Sequence, residues 1–282
     1  MPGTLFIVAT PIGNLEDITA RALRTLREVA LIAAEDTRRT AHLLSRYGIT
    51  TPMTSLHEHN EARKTAPLIE RLRSGDSVAL VSDAGTPLIS DPGETLIRSA
   101  IDAGIRVEPI PGPSAIVAAL AASGYETQPF TFLGFPPARS KDRDDWMSRL
   151  ISLEMTAVFF EAPHRIRRTL QEILERVGDV SVTVARELTK VHESLVRGPI
   201  SIVLADPMLE TGELTIVIDF GHKPEHIGSK ATSDEDLAAE LGLITETAKI
   251  RRRAAIKALA KKHGRRPNDV YQAIEKVLRS GK

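Results

Sequence analysis

The sequence predicts an α/β protein made of two sheet-bearing units followed by a basic helical module. Three observations carry that reading. Strand-length apolar runs alternate with amphipathic stretches along most of the chain. Polar turns rich in Gly and Pro follow several of those runs. Finally, 37 Lys and Arg balance 37 Asp and Glu overall, yet residues 245–282 hold twelve bases against three acids, leaving a body of charge −9 and a tail of charge +9.

In chain order, Leu5–Thr10 reads as a buried strand and Ile18–Val29 as a helix, its apolar residues recurring every three to four positions. Leu31–Asp36 is a second strand, and Thr37–Tyr47 a helix that ends at Gly48. Glu61–Arg73 is helical, Val78–Asp83 a strand, Glu94–Ala103 a helix, Val107–Ile110 a strand and Ser114–Ala122 a helix. This alternation predicts an N-terminal α/β domain over 1–124 with a mostly parallel sheet. A second α/β domain, 125–221, follows with strand Phe130–Leu133, a charged loop Arg139–Asp145 and helix Trp146–Leu153. Strand Ala157–Phe160, helix Arg165–Val177 and strand Ser181–Ala185 come next, with closing strands near Ser201–Ala205 and Leu214–Phe220. Alternation at Val182, Val184, Ile216 and Ile218 suits a mixed sheet. Residues 222–234 read as a linker, and 235–282 as a helix-turn-helix-like module with helices Glu235–Leu241, Glu246–Lys262 and Pro267–Arg279.

At 42% hydrophobic and 26% charged residues, the chain can bury two cores. No run reaches the roughly 18 apolar residues of a membrane span, and the start lacks a basic leader, so a cytoplasmic protein without membrane contact is expected. With no cysteine, disulfides, thiolate metal sites and a cysteine nucleophile are excluded, and no metal is expected. Modification of a pyrimidine ring by thiol addition is excluded with them; chemistry at oxygen or an amine is not.

The unusual residue choices fall where strands end: Thr10–Asp17, Glu35–Thr40, Ser55–Asn60, Ser82–Gly93 and Pro111–Ala115. Any one of these is ordinary turn or capping chemistry. Five on one rim describe a ligand site, because open parallel sheets bind ligands outside the carboxyl ends of their strands. Neither G-x-G-x-x-G after the first strand nor G-x-x-x-x-G-K-[ST] occurs, which disfavours a dehydrogenase and a phosphate-cradling NTPase.

Val8-Ala-Thr-Pro-Ile-Gly-Asn-Leu-Glu-Asp, Ala34-Glu-Asp-Thr-Arg-Arg-Thr, Ser55-Leu-His-Glu-His-Asn, Ser82-Asp-Ala-Gly-Thr-Pro, Pro111-Gly-Pro-Ser-Ala, Phe159-Phe-Glu-Ala-Pro-His-Arg and Arg186-Glu-Leu-Thr-Lys-Val-His-Glu occur in this order. Together they resemble the ribosomal RNA small-subunit methyltransferase I family, a branch of the tetrapyrrole (corrin/porphyrin) methylases, from about residue 4 to 220. The resemblance implies the two-domain tetrapyrrole-methylase fold, S-adenosylmethionine in the cleft, and a homodimer. It implies 2′-O-methylation of a cytidine ribose in the decoding region of 16S rRNA, in the small ribosomal subunit. By the same resemblance Pro11 and the turn holding Asp83, Gly85 and Thr86 contact the donor, and Ser114 and Ala115 cover its methionine part. The backbone around Phe160 and Glu161, with Leu188 and Glu213, frames its adenine. A precorrin-type methylase and a non-catalytic RNA-binding protein are the alternatives; the first has little use for the basic tail.

Methyl transfer to a ribose hydroxyl asks for alignment of two reactants and for removal of a proton. His57, Glu58 and Glu187 are candidates for the base, with Lys190 or Arg38 orienting ribose or phosphate. Each has a structural alternative. His57 and His59 equally suit capping the helix near Glu61, Glu187 suits a surface pair with Arg186 or Lys190, and His164 and Arg165 suit setting a helix start. In the tail, Arg251, Arg252, Arg253, Lys257, Lys261, Lys262, Arg265 and Arg266 are candidate phosphate contacts, beside an apolar stripe of Ile250, Ala254, Ala258 and Leu259. A solvated face or a dimer arm is the structural alternative there.

Overall fold

Val78-Ala-Leu-Val shows how the first sheet is made, since all four residues are buried and alternate members face opposite layers. The computed structural model describes residues 1–220, 237, 241, 255, 256, 259, 260 and 267–280. It divides into two compact units, Met1–Lys223 and Pro224–Lys282. Five parallel strands, β1 (Thr4–Val8), β2 (Leu31–Ala34), β3 (Met53–Ser55), β4 (Val78–Val81) and β5 (Arg106–Ile110), lie in the order β3-β2-β4-β1-β5. Leu5, Ile7, Val78 and Leu80 point to one face, under α3 (Glu61–Arg73) and α4 (Glu94–Asp102). Val8, Ala79 and Val81 point to the other, under α1 (Ala20–Glu28) and α2 (Thr37–Arg46). Caps fit the starts of these last two helices: Thr19 Oγ1 accepts from Ala22 N at 3.1 Å and Asp36 Oδ1 from Arg38 N at 2.8 Å.

The second sheet is mixed, as its alternating pattern predicts. Its strands β6 (Phe130–Phe132), β7 (Thr156–Glu161), β8 (Ser181–Arg186), β9 (Ser194–Pro199) and β10 (Leu214–Asp219) run in the order β6-β7-β10-β8-β9, parallel only between β6 and β7. One face packs against α6 (Ser140–Ile151), α7 (Ile166–Val177) and the short α8 (Ile200–Val203), with Trp146 edge-on to Phe159 at 5.2 Å. The other face is covered by α5 (Ala115–Ser123), whose Ile116, Ala119 and Leu120 meet Val158, Ala185 and Val217. A helix that follows the first sheet in sequence therefore packs on the second.

Three expectations need correction. Residues 139–145 are not a loop: α6 begins at Ser140, because Arg143, Trp146, Met147 and Leu150 share its buried face while the charges between them face water. Ser201–Ala205 is not a strand; the strand is β9, and Ile200 and Val203 then sit one turn apart in α8. The edge strand β3 was missed, its three residues being only partly buried. In the second unit, Leu237, Leu241, Ala255, Ile256, Leu259, Ala260, Val270, Ala273 and Ile274 form one buried cluster, the last three on α9 (Pro267–Ser280). Leu259 of the expected stripe is in that cluster; Ile250, Ala254 and Ala258 lie outside the described residues, as do all eight basic candidates of the tail. Among the described residues no helix is long and apolar enough to cross a membrane.

A polar network underpins the end of β7. The Glu161 carboxylate is buried, accepting from Thr169 Oγ1 at 2.5 Å and Ala162 N at 2.8 Å, with Arg165 Nε at 3.4 Å. Arg143, equally buried, donates to Thr169 Oγ1 and to Glu172, both at 2.8 Å, and lies 4.0 Å from Glu161. Removing one partner of such a network leaves a buried charge without compensation. Arg143→Ala is expected to cost about 3–5 kcal/mol in urea unfolding. Arg143→Lys should recover little of that, since an ammonium cannot reproduce the guanidinium fork; full recovery by Lys would show that charge alone matters.

Candidate active site

The loops that leave the carboxyl ends of β1, β2, β4 and β5 converge on one side of the first sheet. Thr10 and Gly85 form a two-bond bridge, Thr10 N donating to Gly85 O at 2.9 Å and Gly85 N to Thr10 O at 3.0 Å, while Thr10 Oγ1 donates to Ser82 O at 3.2 Å. Gly85 adopts φ 77°, which a residue with a Cβ rarely holds. Asp83 N donates to Glu35 Oε2 at 3.1 Å, Asp36 N donates to Asp83 Oδ1 at 3.0 Å, and Arg39 lies 3.4 Å from Asp83 Oδ2. The β2 and β4 loops are thus tied together through their own carboxylates.

Opposite them stand the ends of β7 and β8 and the start of β10, which antiparallel pairing brings to the same edge of the second sheet. Glu187 Oε1 accepts from Glu213 N at 2.8 Å and from Lys190 Nζ at 2.9 Å, and Lys190 also pairs with Glu213 at 3.0 Å. The backbone hydrogen bond from Glu213 and then the Lys190 ammonium hold the Glu187 carboxyl below its ordinary range. Asn14 N donates to Thr189 Oγ1 at 2.9 Å, so the β1 loop is fastened to the β8 loop.

Between the two sheets lies a cavity of about 420 Å³, within the usual size range of small-molecule sites. Its wall includes Asp83, Gly85, Thr86, Ser114 and Ala115 from the first side and Phe160, Glu161, Leu188 and Glu213 from the second. Nine of the ten expected donor-binding residues therefore line the same cavity. Pro11 does not: it is buried and its neighbour Ile12 faces the cavity instead. Glu161 contributes position rather than charge, because its carboxylate is turned into the network with Thr169 and Arg165.

None of the three candidate bases lines the cavity. His57 and Glu58 follow β3, the outermost strand, with β2 standing between it and β4. His57 Nε2 lies 2.9 Å from Asn60 Nδ2, and the N-cap of α3 is Asn60 rather than either histidine. Glu187 takes part in the lysine pair that offered its structural alternative. Arg38 is exposed and grips Asp36 through Nε at 3.0 Å and a terminal nitrogen at 2.6 Å. Sequence reasoning passed over Glu35, Arg39 and Asp91, all of which line the cavity. Each lies within or beside a rim segment already marked by its composition; what was missing was which side chain of the segment turns inward.

Among the described residues, the lining acids Glu35, Asp83, Asp91, Glu161 and Glu213 face a single cation, Arg39. Burial, and then repulsion from Glu35 and Asp83, push the Asp91 carboxyl up to about 6 against a hydrogen bond from Ser82 that works the other way. All four non-glycine residues with positive φ among those described lie in the two loops that supply Ile89, Ser90 and Leu188 to the cavity: Leu88 (77°) and Ser90 (70°), Glu187 (51°) and Thr189 (67°). Phe160 completes an aromatic corner with Phe132 at 5.1 Å and Phe135 at 5.3 Å, and Phe135 is half exposed at the mouth.

Such a cavity between a parallel and a mixed sheet defines a class, and comparison with known proteins identifies it. A family profile for the tetrapyrrole (corrin/porphyrin) methylases matches residues 4–203. Solved structures of similar fold include a diphthine synthase, at TM-score 0.63 and 16% identity over 77% of this chain and 90% of that one. A uroporphyrin-III-C-methyltransferase from Thermus thermophilus is similar at TM-score 0.54 and 20% identity, covering 78% of this chain and 95% of that one. In sequence, the ribosomal RNA small subunit methyltransferase I of Haemophilus influenzae is 44% identical over 96% of both chains. Its namesake in Pseudomonas aeruginosa is 42% identical over 99% of both. The chain belongs to the tetrapyrrole methylase family, in the ribosomal RNA small subunit methyltransferase I branch.

Gly212 tests how tightly the second wall is built. It holds φ 74°, and a Cβ there would stand 2.5 Å from Glu187 Cγ. Gly212→Ala should cost about 1–2 kcal/mol from the left-handed backbone alone, with displacement of Glu187 added. Glu187→Gln isolates the charge. Because the folded carboxyl is held low, its stabilisation is complete above the ordinary glutamate range and fades as pH falls below it. Urea titrations at pH 7 and pH 3 should therefore show a larger deficit for the Gln variant at the higher pH.

Proposed function

We propose that the protein transfers a methyl group from S-adenosylmethionine to ribosomal RNA of the small subunit, acting on a cytidine ribose 2′-hydroxyl in the decoding region. The observation that carries this is identity of 42–44% over nearly the whole length of relatives bearing that methyltransferase name. The donor is a methyl sulfonium, and its chemistry suits the cavity. A cationic sulfur and ammonium fit a wall rich in carboxylates, and an adenine fits the apolar side formed by Phe160, Leu188 and Leu214. Asp83, Gly85, Thr86, Ser114 and Ala115 would hold the methionine end, and the backbone at Phe160, Glu161 and Glu213 the adenine end. Pro11 acts by fixing the turn that presents Ile12.

Displacement at a methyl carbon needs collinear reactants and little else, and such positioning contributes up to about 7–11 kcal/mol. Loops whose backbone is locked, as Thr10–Gly85 is, supply rigidity of that kind. The absence of cysteine accords with an oxygen acceptor rather than a ring carbon. The working protein would be a cytoplasmic homodimer, its chain organised as two α/β domains, a linker and the basic module. Arg38, exposed on α2, and the tail cations Arg251, Arg252, Arg253, Lys257, Lys261, Lys262, Arg265 and Arg266 would meet phosphates of the RNA.

Labelled methyl from S-adenosylmethionine should enter small-subunit RNA and appear, after nuclease mapping, on one cytidine as a 2′-O-methyl ribose. Label on a base, or none at all, would sink the reading. For the tail, replacing Arg251, Arg252 and Arg253 together by Gln should weaken subunit binding and lower the slope of log affinity against log salt by about 2–3. Donor affinity by calorimetry should stay unchanged; an unaltered salt slope would remove the tail from the RNA interface.

A further inference from the structure

The two helical layers of the parallel sheet carry very different charge. In the layer of α3 and α4, five bases stand with four acids, and three of the arginines are paired: Arg71 with Asp76 and Arg73 with Glu70, each at 2.7 Å, and Arg98 with Glu94. On α7, Arg167, Arg168 and Arg176 are matched in the same way, by Glu210, Glu172 and Asp144. The layer of α1 and α2 differs. Burial of Ala22, Thr25 and Leu26 on one helix and of Thr40, Leu43 and Leu44 on the other turns six arginines outward, Arg21, Arg24, Arg27, Arg38, Arg39 and Arg46, against a single acid, Glu28. Arg21 donates to Pro109 O at 3.0 Å, and Arg27 ties the two helices together by donating to Tyr47 O at 3.1 Å. Arg38 and Arg39 lean to Asp36 and Asp83. Arg24 and Arg46 have no ion-pair or hydrogen-bond partner among the described residues. Both helices begin at the rim of the cavity and run away from it, α1 after the β1 loop and α2 after the loop that puts Glu35 on the wall.

We infer that this α1–α2 face is an RNA-docking surface of the body, distinct from the tail, and that it holds phosphates flanking the acceptor nucleotide of small-subunit RNA. The inference rests on the function proposed above and adds to it the place where the body meets its substrate. Residues 1–244 carry a charge of −9, so a polyanion is repelled by most of the body and settles only where the sign reverses. An exposed guanidinium offers paired N–H donors that match a phosphate, and it stays charged at every working pH. Arg38 and Arg46 stand about 12 Å apart along α2, a span longer than one nucleotide step. Other partners fit the face less well. Among the described residues no large apolar side chain is exposed on α1 or α2, so nothing there would enter a lipid surface. A two-fold contact with a second copy of the chain would set each arginine row against its own twin.

The test uses the full-length chain with its tail intact. Arg24→Gln/Arg46→Gln removes two charges from the face, and Arg73→Gln/Arg98→Gln removes the same charge from the opposite layer. Binding to small ribosomal subunits is titrated against salt, binding to phosphatidylserine vesicles is measured beside it, and donor affinity is read by calorimetry. The α1–α2 variant should bind subunits on the order of tenfold more weakly at about 100 mM salt, with the slope of log affinity against log salt lowered by about 1–2. Its donor affinity and Tm should match wild type, and the opposite-layer variant should bind subunits as wild type does. In wild type, bound subunits should protect Arg24 and Arg46, but not Arg73 and Arg98, from phenylglyoxal, a reading by mass spectrometry that needs no variant. Equal weakening of both variants would reduce the effect to overall charge and overturn the inference. Unchanged subunit binding by the α1–α2 variant, absent protection, or loss of vesicle binding with subunit binding intact would overturn it too. A wild type that neither binds small subunits nor methylates their RNA would instead overturn the function proposed above, and shows itself before any variant is compared.

Discussion

Among the described residues, four with a Cβ hold left-handed backbone in the two loops that supply Ile89, Ser90 and Leu188 to the cavity, and much of the site depends on what keeps them there. Such a conformation costs about 1–3 kcal/mol per residue, so it persists only when its surroundings leave no alternative. On the β8 side the reasons are explicit: Glu187 N donates to Glu213 O at 2.9 Å, Lys190 N to Glu187 O at 2.9 Å, and Thr189 N to Glu193 Oε2 at 2.6 Å. These bonds aim Leu188 into the cavity and leave Thr189 Oγ1 to receive Asn14 N from the first sheet's loop. A wall of one sheet and a contact to the other thus come from the same strained turn. On the β4 side, Gly93 with φ 128° closes the loop that carries Asp91 and starts α4.

The placement of α5 makes this arrangement possible. Ala115–Ser123 is almost wholly apolar, with Ile116, Ala119 and Leu120 buried and Val117 left exposed. It follows β5 of the parallel sheet but buries Ile116 and Leu120 on the mixed one. Its first residues, Ser114 and Ala115, are thereby left at the seam, on the cavity wall. Shape and polarity of the site are a consequence of packing here, and the chain need not dedicate a separate element to it.

The sequence made β1, β2 and β4 legible because each is a largely apolar, buried run, whereas β3, three partly buried residues long, left no such mark. It concealed the first half of α6, whose opening turn, Ser-Lys-Asp-Arg, looks like solvated loop until Arg143 is recognised as a buried member of a helical face. It concealed β9 for the opposite reason: an edge strand with Arg197, Gly198 and Pro199 has no buried face to impose alternation. In the site, family resemblance pointed to nine lining residues. It did not point to Asp91, because which of twelve rim residues faces inward is decided by left-handed turns at Leu88 and Ser90, residue types that ordinarily avoid them. Local composition carries no sign of a conformation that tertiary contacts enforce.

The same carboxyl shows where stability and function pull apart. A folded-state value near 6, above that of an unfolded aspartate, means the native state binds its proton more tightly than the unfolded chain does. The resulting penalty is absent at low pH, where both states are protonated, grows as pH rises through the ordinary aspartate range, and is complete above about 6. Partial exposure and solvent screening keep it modest. At neutral pH the protein therefore carries an ionised group that its own Glu35 and Asp83 oppose, in a loop whose backbone is itself strained. A structural role would favour an asparagine or a pairing cation at that position, since either would relieve the repulsion. A carboxylate turned into a cavity gains when something positively charged arrives beside it.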